Sequence, residues 1–467
     1  EGRKLSAIRR ACGIEKLMEM VLVSSIINSL FFGGLPEEAG LYLKSLAAIN
    51  SVLCIILFLM YFHQYFYAVV AVFTRAIKWP EEKAQHKYAY LICAHDEDKV
   101  VGNLIDSIFA QNYPRELMQV FVCADNCTDE TAKIARERGA VVFERFSNER
   151  GKSYALDYMI KRILTEYAGE NFEAAFVFDA DNLVSANYTE EMNKLYDAGY
   201  KAATSFRASK NVGQNWVTAG SSYMFYRECA LVHHSRSKLG IGTYISGTGY
   251  FIAMEVLEKM GGWNYHTMTE DIEFSVDCAL KKVKIGYNEN AVFYDEQPQK
   301  LKDSCRQRLR WCRGTHECFG KYYFKNAKET WKAGVGFLRF EMSVHISPLP
   351  IVSFLWTLLY FLLATVASCG KETPLALQTW YIQSLLPSVG WAFLSLYLML
   401  FGFALVSVLK SWKRIDMSSF KKLWYCFTFP LFFALYLPLS AMALFKKVRW
   451  TKIPHTVSKS IEEIGSK

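Results

Sequence analysis

The chain of 467 residues carries twelve cysteines, but their spacing shows no disulfide framework. It also lacks the paired C-x-x-C motifs that a zinc site would require. Cys123 and Cys127 lie in the region that we predict to be cytosolic, and Cys54 lies in an apolar run, so we expect reduced thiols. These absences argue against a disulfide-stapled scaffold and against structural zinc.

Charged residues are scarce at 21% of the chain, whereas hydrophobic residues make up 52% and aromatic residues 15%. This balance is too apolar for an ordinary soluble enzyme and indicates a membrane part joined to a globular part. The net charge of +9 fits either the positive-inside bias of cytoplasmic loops or a basic surface that gathers anionic substrate or lipid. Because the charges cluster beside apolar runs, we expect no nucleic-acid partner.

Apolar runs lie at both ends of the chain. Residues 17–33 resemble a signal-peptide core, but a second run at 46–73 and the basic residues after it favour a transmembrane hairpin over residues 1–80. Because the sequence begins with Glu1, we expect a trimmed N-terminus. Residues 302–342, in which Trp331, Phe337 and Phe340 lie among lysines, predict interfacial helices.

Runs at about residues 346–368, 377–409 and 423–445 are each long enough to cross a bilayer and predict a C-terminal transmembrane bundle over 346–447. Three crossings would place Lys446, Lys447 and Arg449 outside, against the positive-inside bias. An even number of spans removes this conflict, and we expect four, with a cytosolic tail at 448–467.

Between the membrane segments, residues 84–325 alternate apolar strands with helical stretches. Strands are predicted at residues 88–94, 119–124, 141–143 and 174–178. This order indicates an α/β domain with a mostly parallel sheet, inserted in an α-helical multi-pass membrane domain. Ligands of such a sheet bind at the carboxyl ends of its strands.

Acidic residues follow two of these strands. Asp179 and Asp181 end the strand at 174–178, and an extended backbone would point both carboxylates toward one divalent cation. The competing interpretation is a solvated turn. Asp125 ends the strand at 119–124, where a turn and helix cap would explain the following Thr128 and Asp129 but not Asp125 itself.

Two further motifs lie closer to the C-terminal membrane runs. Asp271, in Thr269-Glu270-Asp271, is a candidate general base, although Thr267 and Glu270 also fit a helix capping box. In the pentapeptide at 307–311, an amide, a guanidinium and an indole share one helical face at positions i, i+3 and i+4. A basic interfacial helix facing anionic lipid would explain the arginines but not that shared face.

The order of these motifs resembles the membrane-embedded, processive family-2 glycosyltransferases, such as cellulose, chitin, hyaluronan and poly-N-acetylglucosamine synthases. The resemblance implies a GT-A-type catalytic domain, a UDP-sugar donor, a growing polysaccharide acceptor, membrane lipid contacts and Mg²⁺ or Mn²⁺ as cofactor. It implies donor-nucleotide contacts for Glu97, Asp125 and Lys152, and metal and nucleotide binding for Asp179 and Asp181. No fused regulatory domain is evident.

The resemblance also assigns roles on the acceptor side. Asp271 matches the catalytic base, with Glu270 beside it, and Gln307 and Arg310 match diphosphate-binding positions. Trp311 matches the tryptophan under the acceptor sugar. Gly247, Thr248 and Gly249 match the wall of the acceptor site, called the acceptor wall below, where several synthases carry a cysteine. A short match to a gating loop covers Arg449, Trp450, Thr451 and Lys452.

The sequence thus predicts an inverting, processive glycosyltransferase in the plasma membrane, with a cytoplasmic catalytic domain and a channel for its product. UDP-glucose and a cellulose-like or mixed-linkage β-glucan are the favoured donor and product. An N-acetylglucosamine polymer or hyaluronan-type synthase shares every motif. A non-processive, glycolipid-forming glucosyltransferase and a membrane transporter or receptor with an inactive cytosolic domain are further alternatives.

Overall fold

The protein is described from a computed structural model that covers residues 35–36, 38–330, 336–449, 451–455 and 457–465. The first predicted membrane run, residues 17–33, lies outside these ranges. The chain divides into two compact units, residues 1–63 with 348–402 and residues 64–347 with 403–467.

A mixed eight-stranded sheet forms the centre of the second unit. Its strands are β1 (Tyr88–Ala94), β2 (Met118–Asp125), β3 (Val141–Arg145), β4 (Ala174–Asp179), β5 (Leu183–Val184), β6 (Ala202–Ser209), β7 (Tyr250–Ala253) and β8 (Gly286–Asp295). Their order is β3-β2-β1-β4-β7-β6-β8-β5. Pairings among β1 to β4 and between β6 and β8 are parallel, whereas β7 is antiparallel to both its neighbours and β5 to β8. The four predicted strands are confirmed as β1 to β4.

Seventeen helices appear in the described ranges. They are α1 (Leu41–Phe73), α2 (Val101–Phe109), α3 (Thr131–Glu137), α4 (Lys152–Glu166), α5 (Tyr188–Asp197), α6 (Trp216–Arg227), α7 (His234–Lys238), α8 (Met254–Met260), α9 (Glu270–Leu280), α10 (Leu301–Thr330), α11 (Gly336–Ile346), α12 (Leu349–Ser368), α13 (Leu375–Trp380), α14 (Leu386–Lys410), α15 (Ser419–Ala434), α16 (Tyr436–Phe445) and α17 (Ile461–Gly465).

Side chains of β1 alternate between two apolar layers, as expected for a strand buried on both faces. Tyr88 and Tyr90 pack in one layer with α2 and α5, and Ala89 and Leu91 pack in the other with α4, α8 and α9. The sheet is therefore sandwiched by helices, and its strand ends remain available for ligands.

Among the residues that the structure describes, four helical stretches are long and apolar enough to cross a membrane: Leu41–Phe73, Leu349–Ser368, Leu375–Lys410 and Ser419–Phe445. Three of them follow the sheet domain, rather than the four that we expected. The run at 377–409 stays one continuous helix because a π-helical turn at Tyr381–Leu385 joins α13 to α14 without a loop. Within the first unit, the Thr357 hydroxyl donates to Asn50 Oδ1 (3.0 Å) between α12 and α1.

Candidate functional site

Lys152 lies at the centre of a polar cluster at the carboxyl end of β4. Its Nζ donates to Asp179 Oδ1 (2.5 Å) and to the backbone oxygen of Gly247 (2.6 Å). Burial lowers the pKa of Lys152, but the charges of Asp179 and Glu270 outweigh it, so the net shift is upward. The ammonium group therefore stays charged and links the predicted donor side to the predicted acceptor wall.

The chain turns directly after Asp179 and does not continue as the extended strand that we expected. The Asn182 N–H donates to the Asp179 backbone oxygen (3.0 Å), and the two carboxylates take different partners. Asp179 binds Lys152, whereas Asp181 is 3% exposed and accepts the N–H of Glu296 (3.1 Å). The two carboxylates therefore do not point the same way as alternate side chains of one strand, which was our reason for expecting them to share a cation.

Two glycines shape the acceptor wall at residues 246–249. Gly247 and Gly249 have φ angles of +79° and +66°, which L side chains rarely adopt. A Cβ on Gly249 would lie 2.2 Å from the ring of Phe293. Thr248 fixes the loop to β4, because its Oγ1 accepts the Asp179 N–H (2.9 Å) and donates to Asn182 (2.5 Å).

Glu270 and Asp271 open α9 beside this wall. A Cβ on Gly247 would lie 3.9 Å from Asp271 Oδ2, so the carboxylate borders the wall. Burial and the charge of Asp271 raise the pKa of Glu270 to about 7, and burial raises the pKa of Asp271. The alternative interpretation, a capping box of Thr267 and Glu270, is wrong, since the Thr267 N–H donates to Glu273 instead (2.9 Å).

Helix α10 brings the pentapeptide to the start of α9. Arg310 Nη1 donates to the Met268 backbone oxygen (3.1 Å), and the positive charge of Arg310 lowers the pKa of Glu270, although burial outweighs it. A Cβ on Gly314 would lie 2.5 Å from Thr269, so only glycine permits this helix contact. Gln307 is half-buried one turn before Trp311, whose ring packs edge-on against Phe225 at 6.0 Å.

Arg308 does not face lipid, contrary to the interfacial interpretation of the arginines. It is 1% exposed, and its Nη1 donates to the Phe432 backbone oxygen (2.8 Å) in α15. Its guanidinium lies 4.0 Å from the centre of the Phe432 ring. A guanidinium that both donates to a carbonyl oxygen and lies over an aromatic ring makes a strong buried contact. Arg308 therefore holds α10 against α15.

Asp125 lies apart from this cluster, at the end of β2. Its Oδ1 accepts from Arg145 Nη1 (2.7 Å), and both side chains are buried. His95 Nδ1 lies 2.7 Å from the Asp125 backbone oxygen. The cap interpretation is confirmed for Asp129, whose Oδ1 accepts the Thr131 N–H (3.0 Å) at the start of α3.

The C-terminal segment lies over the ends of β1 and β4. Lys452 donates to the Asp96 backbone oxygen, and His455 Nδ1 lies 3.0 Å from the Glu97 carboxylate. Burial lowers the pKa of His455, but the negative charges of Asp181 and Glu97 outweigh burial and raise this pKa to about 10. Arg449 and Thr451 are exposed, and Trp450 lies outside the described residues.

Sequence reasoning missed a buried ion pair that joins the two sides of the site. Arg207 at the end of β6 pairs with Asp295 at the end of β8, and Asn182 Nδ2 donates to Asp295 Oδ1 (3.0 Å). The Arg207 guanidinium also lies 3.7 Å from the centre of the Phe225 ring. The available signal was Asp295-Glu296 after an apolar stretch, the same pattern that identified Asp179.

Asp96, Cys127 and Asp129 offer atoms that lie within 4.8 Å of one another, a spacing compatible with a metal ion. Asp96 Oδ1 accepts the Thr128 N–H (2.7 Å), and Asp129 Oδ2 accepts the Asp98 N–H (3.2 Å). Cys127 Sγ accepts the Asp96 N–H (3.3 Å). These hydrogen bonds account for the cluster as a loop structure.

The acids at the carboxyl ends of β4 and β8 fit a hard divalent cation better. Asp179 and Asp181 supply oxygen ligands of the kind that Mg²⁺ and Mn²⁺ prefer, and Asp295 and Glu296 add negative charge nearby. Burial raises the pKa of Asp295, partly offset by Arg207. Asp181, Asp295 and Glu296 are buried, and buried carboxylates that lie close together favour a cationic ligand.

Comparison with known proteins matches the same region. Residues 85–314 match the family model described as "Glycosyltransferase like family 2". The beta-monoglucosyldiacylglycerol synthase of Synechocystis is 25% identical over 240 residues, covering 50% of this chain and 48% of that protein. The poly-beta-1,6-N-acetyl-D-glucosamine synthase of Staphylococcus aureus is 24% identical over 311 residues, covering 64% and 69%.

A solved structure shares the architecture. The mannosyltransferase PcManGT from Pyrobaculum calidifontis, in complex with GDP-Man and Mn²⁺, gives a TM-score of 0.54 at 17% identity and covers 86% of this chain and 99% of that one. The chain spans about half the length of the cyanobacterial beta-monoglucosyldiacylglycerol synthases that it matches. Residues 85–314 therefore match the family-2 glycosyltransferase model and carry the GT-A fold, on a chain whose described residues include four candidate membrane helices.

Proposed function

We propose that the protein is an inverting, UDP-sugar-dependent glycosyltransferase that extends a β-linked polysaccharide. The observation that carries the proposal is the position of Asp271, whose Oδ2 borders the Gly247 wall that Lys152 holds beside Asp179. This arrangement supports a general base facing the acceptor and cations facing the leaving diphosphate.

In the proposed reaction an acceptor hydroxyl oxygen attacks the anomeric carbon of the donor sugar as the bond from that carbon to UDP breaks. Asp271 takes the hydroxyl proton, and the configuration inverts because attack and departure are on opposite faces. Arg310 and Lys152 offset negative charge on the UDP that leaves. Asp179 and Asp181 would hold Mg²⁺ or Mn²⁺, which supplies further charge neutralisation when bound.

The remaining assignments follow the same proposal. Trp311 would stack under the acceptor sugar, Asp125, Glu97 and Gln307 would bind the donor nucleotide, and residues 449–452 would close over it. The tail contacts with Asp96 and Glu97 support this closure. We place the protein in the plasma membrane with its catalytic domain cytoplasmic, and take UDP-glucose as the donor and a translocated β-glucan as the product.

A panel of UDP-sugars offered to purified protein, followed by digestion of the product with linkage-specific hydrolases, tests the proposal. We expect one UDP-sugar of the panel to give both UDP release and a polymer. Similarity to the Synechocystis enzyme favours a second candidate, transfer of a single glucose to a lipid, which would yield a one-sugar glycolipid in the same assay. Turnover with UDP-N-acetylglucosamine alone would favour the N-acetylglucosamine polymer.

A further inference from the structure

The helix behind the acceptor wall changes its winding at Glu228. Helix α6 continues through a π-helical turn at Glu228–His233 into α7. Such turns carry an extra residue, are rare, and occur frequently at functional sites. Here the turn follows Arg227 and begins at Glu228, so two opposite charges stand where the winding changes.

Glu228 reaches the acceptor wall. Its Oε2 accepts the hydroxyl hydrogen of Ser246 (2.9 Å), the residue before Gly247. It also hydrogen-bonds with the Tyr244 hydroxyl. Gly247 is the residue whose Cβ would lie 3.9 Å from Asp271 Oδ2. Within the described ranges Glu228 forms no ion pair, so its charge is held by neutral hydroxyls close to the candidate base.

Arg227 is half-buried on the same helix and also lacks an ion pair in the described part of the chain. Its Nε is buried without a hydrogen-bond partner there. Its guanidinium lies 5.8 Å from the centre of the Phe433 ring. Phe225, two residues earlier, is the ring against which Trp311 packs. A buried polar atom without a hydrogen-bond partner is costly, and one that lies near aromatic rings is expected of a site that binds a polar ligand.

We propose that Glu228, assisted by Arg227, binds hydroxyl groups of the terminal hexose of a saccharide acceptor while that sugar lies on Trp311. The inference rests on the proposed function and deepens it on the acceptor side. Charged side chains form strong hydrogen bonds with neutral hydroxyls, and an aromatic ring covers apolar surface. Glu228 therefore distinguishes a sugar, which offers several adjacent hydroxyls, from a lipid alcohol that offers one.

The test measures donor and acceptor KM separately for purified full-length protein. The donor is the UDP-sugar that gives the highest turnover, and the acceptor is an oligosaccharide of the same sugar. Glu228→Gln keeps the side-chain shape but removes the charge, and should raise the acceptor KM about tenfold to hundredfold. The donor KM should change less than threefold. Glu289→Gln is the matched control, because this half-buried acid pairs with His234 (3.2 Å) instead, and should leave both KM values near wild type.

An unchanged acceptor KM in Glu228→Gln, or a parallel rise in both KM values, overturns the inference. Ser246→Ala provides a second variant, since it removes only the hydroxyl that holds Glu228, and should raise the acceptor KM about threefold. If Glu228→Gln fails to fold, an unchanged acceptor KM in Ser246→Ala overturns the inference. Wild-type protein that turns over UDP-sugar only with a lipid alcohol overturns it too. Absence of UDP release by the wild type with every UDP-sugar instead rejects the proposed function itself.

Discussion

The carboxyl pair at the start of α9 sets the expected pH dependence of the reaction. Burial and the Asp271 charge raise the pKa of Glu270 to about 7, and burial raises that of Asp271. The pair therefore retains a proton below that pH and loses it as the pH rises. Because the proposed base acts only when ionised, kcat/KM should rise with pH as Asp271 loses its proton, at a pH above the usual range of an aspartate.

Glu270→Gln should move this rise to lower pH, because it removes the negative charge that disfavours ionisation of Asp271. Asp271→Asn should instead lower kcat about a hundredfold or more at every pH. Initial rates of UDP release between pH 5 and pH 9 measure both effects. A rise at the same pH in Glu270→Gln and wild type would contradict coupling between the two carboxyl groups.

Gly249 is the residue whose backbone most limits substitution in the acceptor wall. Its φ is +66°, and the Phe293 ring lies 2.2 Å from the position that an alanine methyl group would take, so the wall leaves no room for alanine. Gly249→Ala should lower the free energy of unfolding by roughly 2 kcal/mol or more. Gly169→Ala is the control, since a Cβ there meets nothing within 4 Å. Thermal unfolding of both variants in detergent checks the difference, and equal Tm values would contradict the predicted clash.

At the scale of elements, Arg308 couples α10 to the interrupted helix α15–α16. Pro430 lies within α15, and the helix breaks at Leu435. Arg308 donates to the Phe432 oxygen, and Gly220 of α6 allows the Phe432 ring to approach, since a Cβ there would lie 2.4 Å from it. Two helices of the sheet domain thus hold the segment before the break.

Arg308→Met should lower the apparent Tm by several degrees, because it leaves the Phe432 oxygen without its charged donor. Arg306→Met makes the same change two residues away, where the arginine is exposed and pairs with Asp303 (3.2 Å). That control should shift the apparent Tm by less than about 1 °C, as is usual for exposed pairs. Equal shifts in the two variants would show that Arg308 has no special structural role.

The same elements explain what the sequence could reveal. β1 to β4 are short apolar runs separated by helical stretches, so their pattern predicted them. β6 is rich in alanine and serine, and β5 and β7 have only two and four residues, so none carries a periodic apolar signal. The Arg207–Asp295 pair joins strands 88 residues apart, and only the folded sheet brings its members together.

At the scale of the whole molecule, the position of the tail after α16 determines whether the number of membrane crossings is even or odd. Lys452 and His455 contact Asp96 and Glu97 at the sheet, so the tail lies on the same side of the membrane as the sheet domain. We therefore predict that the chain between that domain and the tail crosses the membrane an even number of times. α12 and the continuous α13–α14 stretch can supply two crossings, which leaves none for α15–α16.

The surface of α15–α16 agrees with a helix lying along the membrane. Exposed apolar residues form one stripe at helical spacing, Phe420, Trp424, Phe427 and Leu431, whereas Phe429 and Phe432 are buried against the protein. A single lipid-facing stripe is typical of an interfacial helix. We therefore predict two crossings after the sheet domain, although the helix is long enough to make a third.

Reporter fusions at two points decide between two crossings and three. Alkaline phosphatase, which is active only outside the cytoplasm, is fused after Arg414, before α15, and in a second version after Lys459, beyond α16. A fusion after Lys371, in the loop between α12 and α13, is the positive control and should be active. Two crossings predict inactive enzyme at both points, because α15–α16 then begins and ends on the side of the sheet domain. Activity after Lys459 with none after Arg414 would make α15–α16 a third crossing, and the tail could then not reach Glu97.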